Sequence, residues 1–121
     1  MDLATFIEKI SLLGAVTYDT PFDQDTLVFR IGGKIFLLTN IAQWDANCPK
    51  INIKALPEEV TNYIETYSFV TPGYHMNKKH WITVDLAQAQ PTTQITTWIQ
   101  NSYELVYNSL SKKIKADLEN K

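Results

Sequence analysis

The sequence contains little that would place the protein outside the cytoplasm. Its single cysteine, Cys48, cannot form an internal disulfide, so nothing indicates an oxidising compartment. No apolar run approaches the roughly 18 residues that a membrane-spanning helix needs. Residues 1–5 show neither a basic stretch nor a signal-peptide pattern. We therefore expect a cytoplasmic protein that does not enter a membrane.

Histidine and cysteine are also too scarce to support a metal site or a catalytic site. The only histidines are His75 and His80, and Cys48 is distant from both in sequence. A zinc site needs three or four ligands in tetrahedral order. A catalytic His80 would need a nucleophile and an orienting acid, and although Ser102 or Tyr103 could approach it, no sequence pattern indicates this. We expect no catalytic residue, no metal, no cofactor and hence no enzyme.

Acidic residues are missing from two long spans, although the chain as a whole carries a net charge of −2. Between residues 26 and 57 the only acid is Asp45, whereas four residues are basic: Arg30, Lys34, Lys50 and Lys54. Between residues 66 and 84 there are two lysines, Lys78 and Lys79, and no acid. If these spans form a sheet, that sheet is basic, and its local field can attract an anion despite the negative net charge.

The 121 residues form a single domain of the α+β class, with elements in the order α-β-β-β-α-β-β-α. Apolar periodicity predicts a helix over 2–13, and strict alternation predicts a strand over 50–54. Turn residues and β-branched runs predict the rest: a hairpin of 26–32 and 34–40, a helix from Pro57, strands at 68–71 and 81–84, a helix from Pro91, and a frayed or loosely docked tail over 110–121.

The hairpin turns at Gly32-Gly33, because two glycines allow the positive φ angles of a two-residue turn. Such a turn pairs Ile31 with Lys34, and it predicts the further pairs Phe29–Phe36 and Leu27–Leu38. These four apolar residues would then face the core. Val28, Arg30, Ile35 and Leu37 would share the other face, which is unusually apolar for a face in contact with solvent.

Residues 71–84 concentrate aromatic, basic and turn-forming residues more than any other stretch. Pro72-Gly73 predicts a bend, and Trp81 predicts an anchor in the core or on a sheet face. On this interpretation Lys78 and Lys79 are the residues that remain free to act on a partner.

Three blocks of the sequence resemble the MmcQ/YjbR family of small bacterial proteins. They are Pro21-Phe22 with residues 26–36, residues 72–81, and residues 102–106. The resemblance covers nearly the whole chain, although the loop 85–91 departs from the usual family pattern. It implies a CyaY-like or secretion-chaperone-like fold, α-β(3)-α-β(2)-α, with a mostly antiparallel sheet and helices packed mainly on one face. Family members are commonly labelled DNA-binding.

Two functions remain open. The first is DNA binding through a basic sheet and hairpin surface made of Arg30, Lys34, Lys50, Lys54, Tyr74, His75, Lys78, Lys79 and His80. The alternative is a protein-interaction or chaperone-like module that binds a partner or a second copy through the face of Val28, Ile35 and Leu37.

Overall fold

The computed structural model describes residues 1–73, 76–89 and 92–119. In this part of the chain the helices are α1 (Leu3–Ser11), α2 (Ile41–Asp45), α3 (Pro57–Thr66), α4 (Thr92–Asn108) and α5 (Lys112–Glu119). The strands are β1 (Val16–Asp19), β2 (Thr26–Ile31), β3 (Lys34–Asn40), β4 (Lys50–Lys54), β5 (Val70–Pro72) and β6 (Trp81–Asp85). All neighbouring strands are antiparallel, and their order across the sheet is β1-β2-β3-β4-β6-β5.

The predicted α+β class and order of elements are confirmed, and the structure adds α5 in the C-terminal tail and two short elements, β1 and α2. β1 lies between the predicted first helix and the predicted hairpin, and it pairs only with β2 at the edge of the sheet. α2 spans five residues, and its first turn is capped where the Gln43 amide donates to Asn40 Oδ1 at 3.1 Å. Both elements are too short for periodicity to predict.

The helices pack on one face of the sheet, and the core lies between the two layers. Phe29, Leu37, Ile53 and Ile82 form a row across four strands, and each is at most 1% exposed. Phe6 of α1 meets Phe29 edge-on, with ring centroids 6.2 Å apart. No helix of the described residues packs on the opposite face of the sheet, which we call the open face.

A β-bulge in β3 overturns part of the predicted register. Ile31 pairs with Lys34 as expected, but Phe29 pairs with Leu37 and Arg30 pairs with Ile35, so Phe36 is the extra residue. Bulged residues point to the same side of a sheet, and Phe36 and Leu37 are both fully buried in the core.

The bulge also corrects the predicted composition of the open face. Leu37 was expected there, but it belongs to the core. Val28 is 0% exposed, and Ile35 is half-buried. These three residues therefore do not form the exposed apolar surface that the alternating pattern predicted.

Ser102 of α4 joins two strands at the bulge. Its hydroxyl accepts a hydrogen bond from the Lys54 amide at 2.8 Å and donates one to the Phe36 carbonyl at 2.7 Å. The residue is 0% exposed. The hydroxyl therefore satisfies a buried donor and a buried acceptor between β3 and β4.

The segment expected as a frayed tail contains α5. Leu110 precedes this helix and is buried, and Ile114 in its first turn packs over the turn of the hairpin. A Cβ atom on Gly32 would lie 2.6 Å from Leu110 Cδ1 and 3.0 Å from Ile114 Cγ2. The glycine therefore permits both the positive φ of the turn and the close approach of this segment.

Candidate nucleic-acid interface

The turn before β6 is organised by Asn77. Its side-chain Oδ1 accepts from the Lys79 amide at 2.9 Å, and its carbonyl accepts from the His80 and Trp81 amides at 3.1 and 3.0 Å. These bonds fix the backbone of residues 77–81, and the side chains of Lys78 and Lys79 remain exposed. The turn therefore presents two adjacent cations to solvent on an ordered backbone.

Two contacts connect this turn to the sheet. The Gly73 amide donates to the Trp81 carbonyl at 3.0 Å, and the Ala55 amide donates to the His80 carbonyl at 2.9 Å. A Cβ atom on Gly73 would lie 2.7 Å from Trp81 Cβ, so only glycine allows the strands to approach this closely. The prediction that Trp81 anchors the strand is consistent with its half-buried position in β6.

Antiparallel pairing brings lysines from three parts of the chain to one end of the sheet. β3 begins at Lys34 and runs opposite to β4, so it starts near the end of β4 at Lys54. Lys54 pairs with Trp81, which directly follows the turn that carries Lys78 and Lys79. Because Ile53 faces the core, Lys54 and its partner Trp81 lie on the open face. We call Lys34, Lys54, Lys78 and Lys79 the basic end.

Of the other sequence-predicted residues, Arg30 and His80 lie near the basic end, Lys50 lies far from it, and two fall outside the described residues. Arg30 forms an ion pair with Asp19, with Nη1 2.6 Å from Oδ1. Lys50 lies at the opposite end of the sheet, where it pairs with Asp85. His80 follows the two lysines of the turn and is half-buried. The last two predicted residues, Tyr74 and His75, fall outside the described residues.

Sequence reasoning did not include Lys112 and Lys113 in the candidate surface. These exposed residues open α5 beside the hairpin turn, since Leu110 and Ile114 on either side of them both approach Gly32. A run of lysines in the tail was the only sequence feature that pointed to them. Acids border the basic end from the helix layer, because Glu58 and Glu59 open α3 soon after β4 ends.

The Ser102 and Tyr103 hydroxyls, which the sequence allowed as partners for His80, make other contacts. Ser102 is hydrogen-bonded to backbone groups of β3 and β4, and the Tyr103 hydroxyl donates to the Gly14 carbonyl at 2.7 Å.

Within residues 1–73, 76–89 and 92–119 there is no group of three or more His, Cys, Asp or Glu side chains that could hold a metal ion. No helix in these ranges is both long enough and apolar enough to cross a membrane.

A cleft of about 260 Å³ lies between α3, α4 and the end of β4, on the helix side of the sheet. Its lining includes Glu59, Tyr63, Trp98 and Glu104. The Tyr63 ring stacks on Trp98 with centroids 4.5 Å apart, and its hydroxyl donates to Glu59 Oε2 at 2.9 Å. Burial, together with the Glu59 carboxylate, raises the pKa of Tyr63 to about 12.

We expect the raised pKa of Tyr63 to make folding stability fall at alkaline pH. The unfolded phenol has a pKa of about 10, so the folded state holds the proton more tightly. This contribution is complete below pH ~10 and is lost as pH rises from about 10 through about 12. Urea unfolding measured across this range should show the decline. A Tyr63→Phe variant with an equally steep decline would contradict the assignment to Tyr63.

The family comparison agrees with this architecture. A sequence model of the YjbR family matches residues 11–105. The chain belongs to the YjbR family. The resemblance inferred from the sequence blocks is therefore confirmed. Among YjbR-family relatives, the uncharacterized protein YbdF of Escherichia coli O157:H7 is 38% identical over 93 residues, which cover 77% of this chain and 74% of YbdF.

Further YjbR relatives extend the similarity to solved structures. The uncharacterized protein YjbR of Escherichia coli K12 is 34% identical over 67 residues, covering 55% of this chain and 57% of that protein. A crystal structure from Deinococcus radiodurans with the domain DUF419 matches with a TM-score of 0.84 and 29% identity, over 98% of this chain and 89% of the other. One from Pseudomonas syringae matches with a TM-score of 0.73 and 28% identity, over 88% and 99%.

Proposed function

We propose that this YjbR-family protein is a non-enzymatic, cytoplasmic DNA-binding protein that contacts phosphates through the basic end. The observation that carries the proposal is the convergence of Lys34, Lys54, Lys78 and Lys79, from β3, β4 and the turn before β6, at one end of the sheet. Three of them are exposed and Lys54 is half-buried, and within residues 1–73, 76–89 and 92–119 none of the four side chains forms an ion pair.

The spacing of these lysines fits a nucleic-acid backbone. Adjacent strands lie about 4.8 Å apart, so the starts of β3 and β6 are separated by roughly 10 Å across β4. Successive phosphates of a DNA strand are offset by about 3.4 Å along the helix axis, so lysines at these positions can reach different phosphates of one backbone. Trp81 lies beside Lys54 on the open face, where an aromatic ring can also contact an unpaired base.

The negative net charge limits the expected strength of binding. The chain carries a net charge of −2, so attraction comes from the local field of the basic end rather than from the whole molecule. Contact of four lysines with phosphates predicts a slope of log K against log salt of about −3.6. We therefore expect weak, sequence-independent binding that is measurable at low salt and lost at high salt.

The test is a double charge reversal, Lys78→Glu with Lys79→Glu. Removing two phosphate contacts should weaken binding to short duplex or single-stranded DNA by at least about tenfold and reduce the salt slope by about 2. Fluorescence anisotropy over a salt series measures both quantities. Circular dichroism should remain unchanged, because both side chains are exposed.

The matched control is Lys9→Glu with Lys50→Glu, which makes the same charge change away from the basic end, because Lys9 is exposed on α1 and Lys50 lies at the opposite end of β4. Its affinity for DNA should fall much less than that of the turn variant. Equal losses in the two variants would show general electrostatics rather than a site. If the wild-type protein binds no DNA at low ionic strength, the proposal is wrong and a protein partner or a second copy becomes the leading function.

A further inference from the structure

A second cleft lies at the other end of the molecule, between α1, α2 and the start of α4. Its volume is about 710 Å³, which is within the range of roughly 300–1,000 Å³ typical of small-molecule pockets. Pro49 and Leu86 line it, so it borders the sheet where β4 begins and β6 ends, away from the basic end. We call it the α1–α4 cleft.

The walls of the α1–α4 cleft are mainly apolar and are held by specific contacts. They include Phe6, Ile10, Trp44, Leu86, Ile95 and Ile99. The Trp44 indole Nε1–H donates to Thr39 Oγ1 at 2.8 Å, and its ring lies 5.0 Å from that of Phe6. Thr39 is buried in β3. These contacts fix the orientation of the indole, so the cleft has a defined apolar wall.

The charge at the α1–α4 cleft is of one sign. Lys9 is the only charged side chain among the described residues that line it, and it is exposed. Thr93, in the first turn of α4, also lines the cleft and is uncharged. An apolar wall with a positive rim matches a molecule that has an apolar body and an anionic head group.

We propose that the α1–α4 cleft binds a small amphipathic anion, with its apolar body against Phe6, Trp44 and Ile99 and its carboxylate, sulfonate or phosphate group near Lys9. This site is independent of the proposed DNA binding, because none of its lining residues belongs to the basic end. It would make the protein a carrier or sensor of an apolar acid.

The test uses two fluorescent probes with the same apolar body. Anilinonaphthalene sulfonate carries a negative charge, and N-phenylnaphthylamine does not. We expect saturable one-to-one binding of the sulfonate and weaker binding of the neutral amine. In a nitrogen–proton NMR correlation spectrum, laurate should shift the signal of the Trp44 indole N–H group. The Trp44→Phe variant lacks this signal and so identifies it.

Two variants locate the site and a third serves as the control. Thr96→Trp fills the mouth of the cleft and should weaken sulfonate binding at least about tenfold. If the Thr96→Trp protein does not fold, Thr93→Trp serves as the blocking variant instead. Thr97→Trp makes the same change one position along α4, outside the lining, and should bind normally. Lys9→Glu should weaken the sulfonate roughly three- to tenfold and leave the neutral amine unchanged.

Each outcome decides the proposal. The absence of saturable binding of both the sulfonate and laurate overturns it, as does binding that the Thr96 and Thr93 variants leave unchanged. Equal affinity for the two probes, with no effect of Lys9→Glu, would contradict the proposal that the cleft selects a ligand with an anionic head group. Retention of sulfonate binding by the Lys78→Glu, Lys79→Glu protein is expected, because those residues lie at the other end of the sheet.

Discussion

Replacing Ser102 with alanine is expected to destabilise the folded protein by about 2–4 kcal/mol, because it leaves two buried backbone groups without a partner. The hydroxyl accepts from the Lys54 amide and donates to the Phe36 carbonyl, at 2.8 and 2.7 Å. The residue is 0% exposed, so water cannot take its place without a change in packing. The loss should appear as a lower urea midpoint with an unchanged slope.

Ser109→Ala provides a matched control just after the C-terminal end of α4. Ser109 is exposed and its hydroxyl donates to the Val106 carbonyl at 2.6 Å, so the same chemical change should cost less than about 1 kcal/mol. Amide exchange at Lys54 should accelerate in the Ser102 variant alone. Equal unfolding midpoints for the two variants would contradict the bridging role of Ser102.

Gly73→Ala is expected to cost about 2–3 kcal/mol, because the added Cβ atom overlaps with a neighbour that cannot rotate away. That atom would lie 2.7 Å from Trp81 Cβ and 3.0 Å from the Trp81 carbonyl oxygen. Backbone and Cβ atoms can move only if β5 separates from β6. The amide signals of Trp81 and of the turn should therefore shift, and the urea midpoint should fall.

The control for Gly73 is Gly33→Ala at the hairpin turn. A Cβ atom on Gly33 would meet no atom within 4 Å, but the residue has a φ of 82°, so its cost is the backbone strain of about 1 kcal/mol. Gly73 does not have a positive φ, so Gly73→Ala tests steric overlap, whereas Gly33→Ala tests backbone strain. A Gly73 variant as stable as the wild type would show that the edge strand has room to move.

Much of the fold could be predicted because its determinants are local. Asp2 caps α1 within the predicted helical span, where its Oδ1 accepts from the Thr5 amide at 2.8 Å, and Pro57 opens α3 as predicted. The alternation of residues 50–54 correctly separated the buried Ile51 and Ile53 from the polar residues that alternate with them. These features depend on neighbours a few residues away, and a single sequence contains that information.

The candidate site was only partly predictable, since its arrangement depends on pairing between distant strands. Lys78 and Lys79 could be identified from the turn around them. The order of the strands decides the surroundings of the other cations. It brings Arg30 to Asp19, and it places Lys50 beside Asp85 at the far end of the sheet. Charge patterning along a chain does not show which cations share one end of a sheet.

The sequence by itself determined the types and order of the main elements and, through the residues of 72–81, the family. The tertiary structure alone decided which face each residue occupies in β3, because one bulged residue, Phe36, reverses the alternation on one side of it. It also decided that Ser102 joins β3 to β4 and that α1 and α4 leave a cleft between them. Each of these depends on the shape and polar groups of a facing element, which the local sequence does not contain.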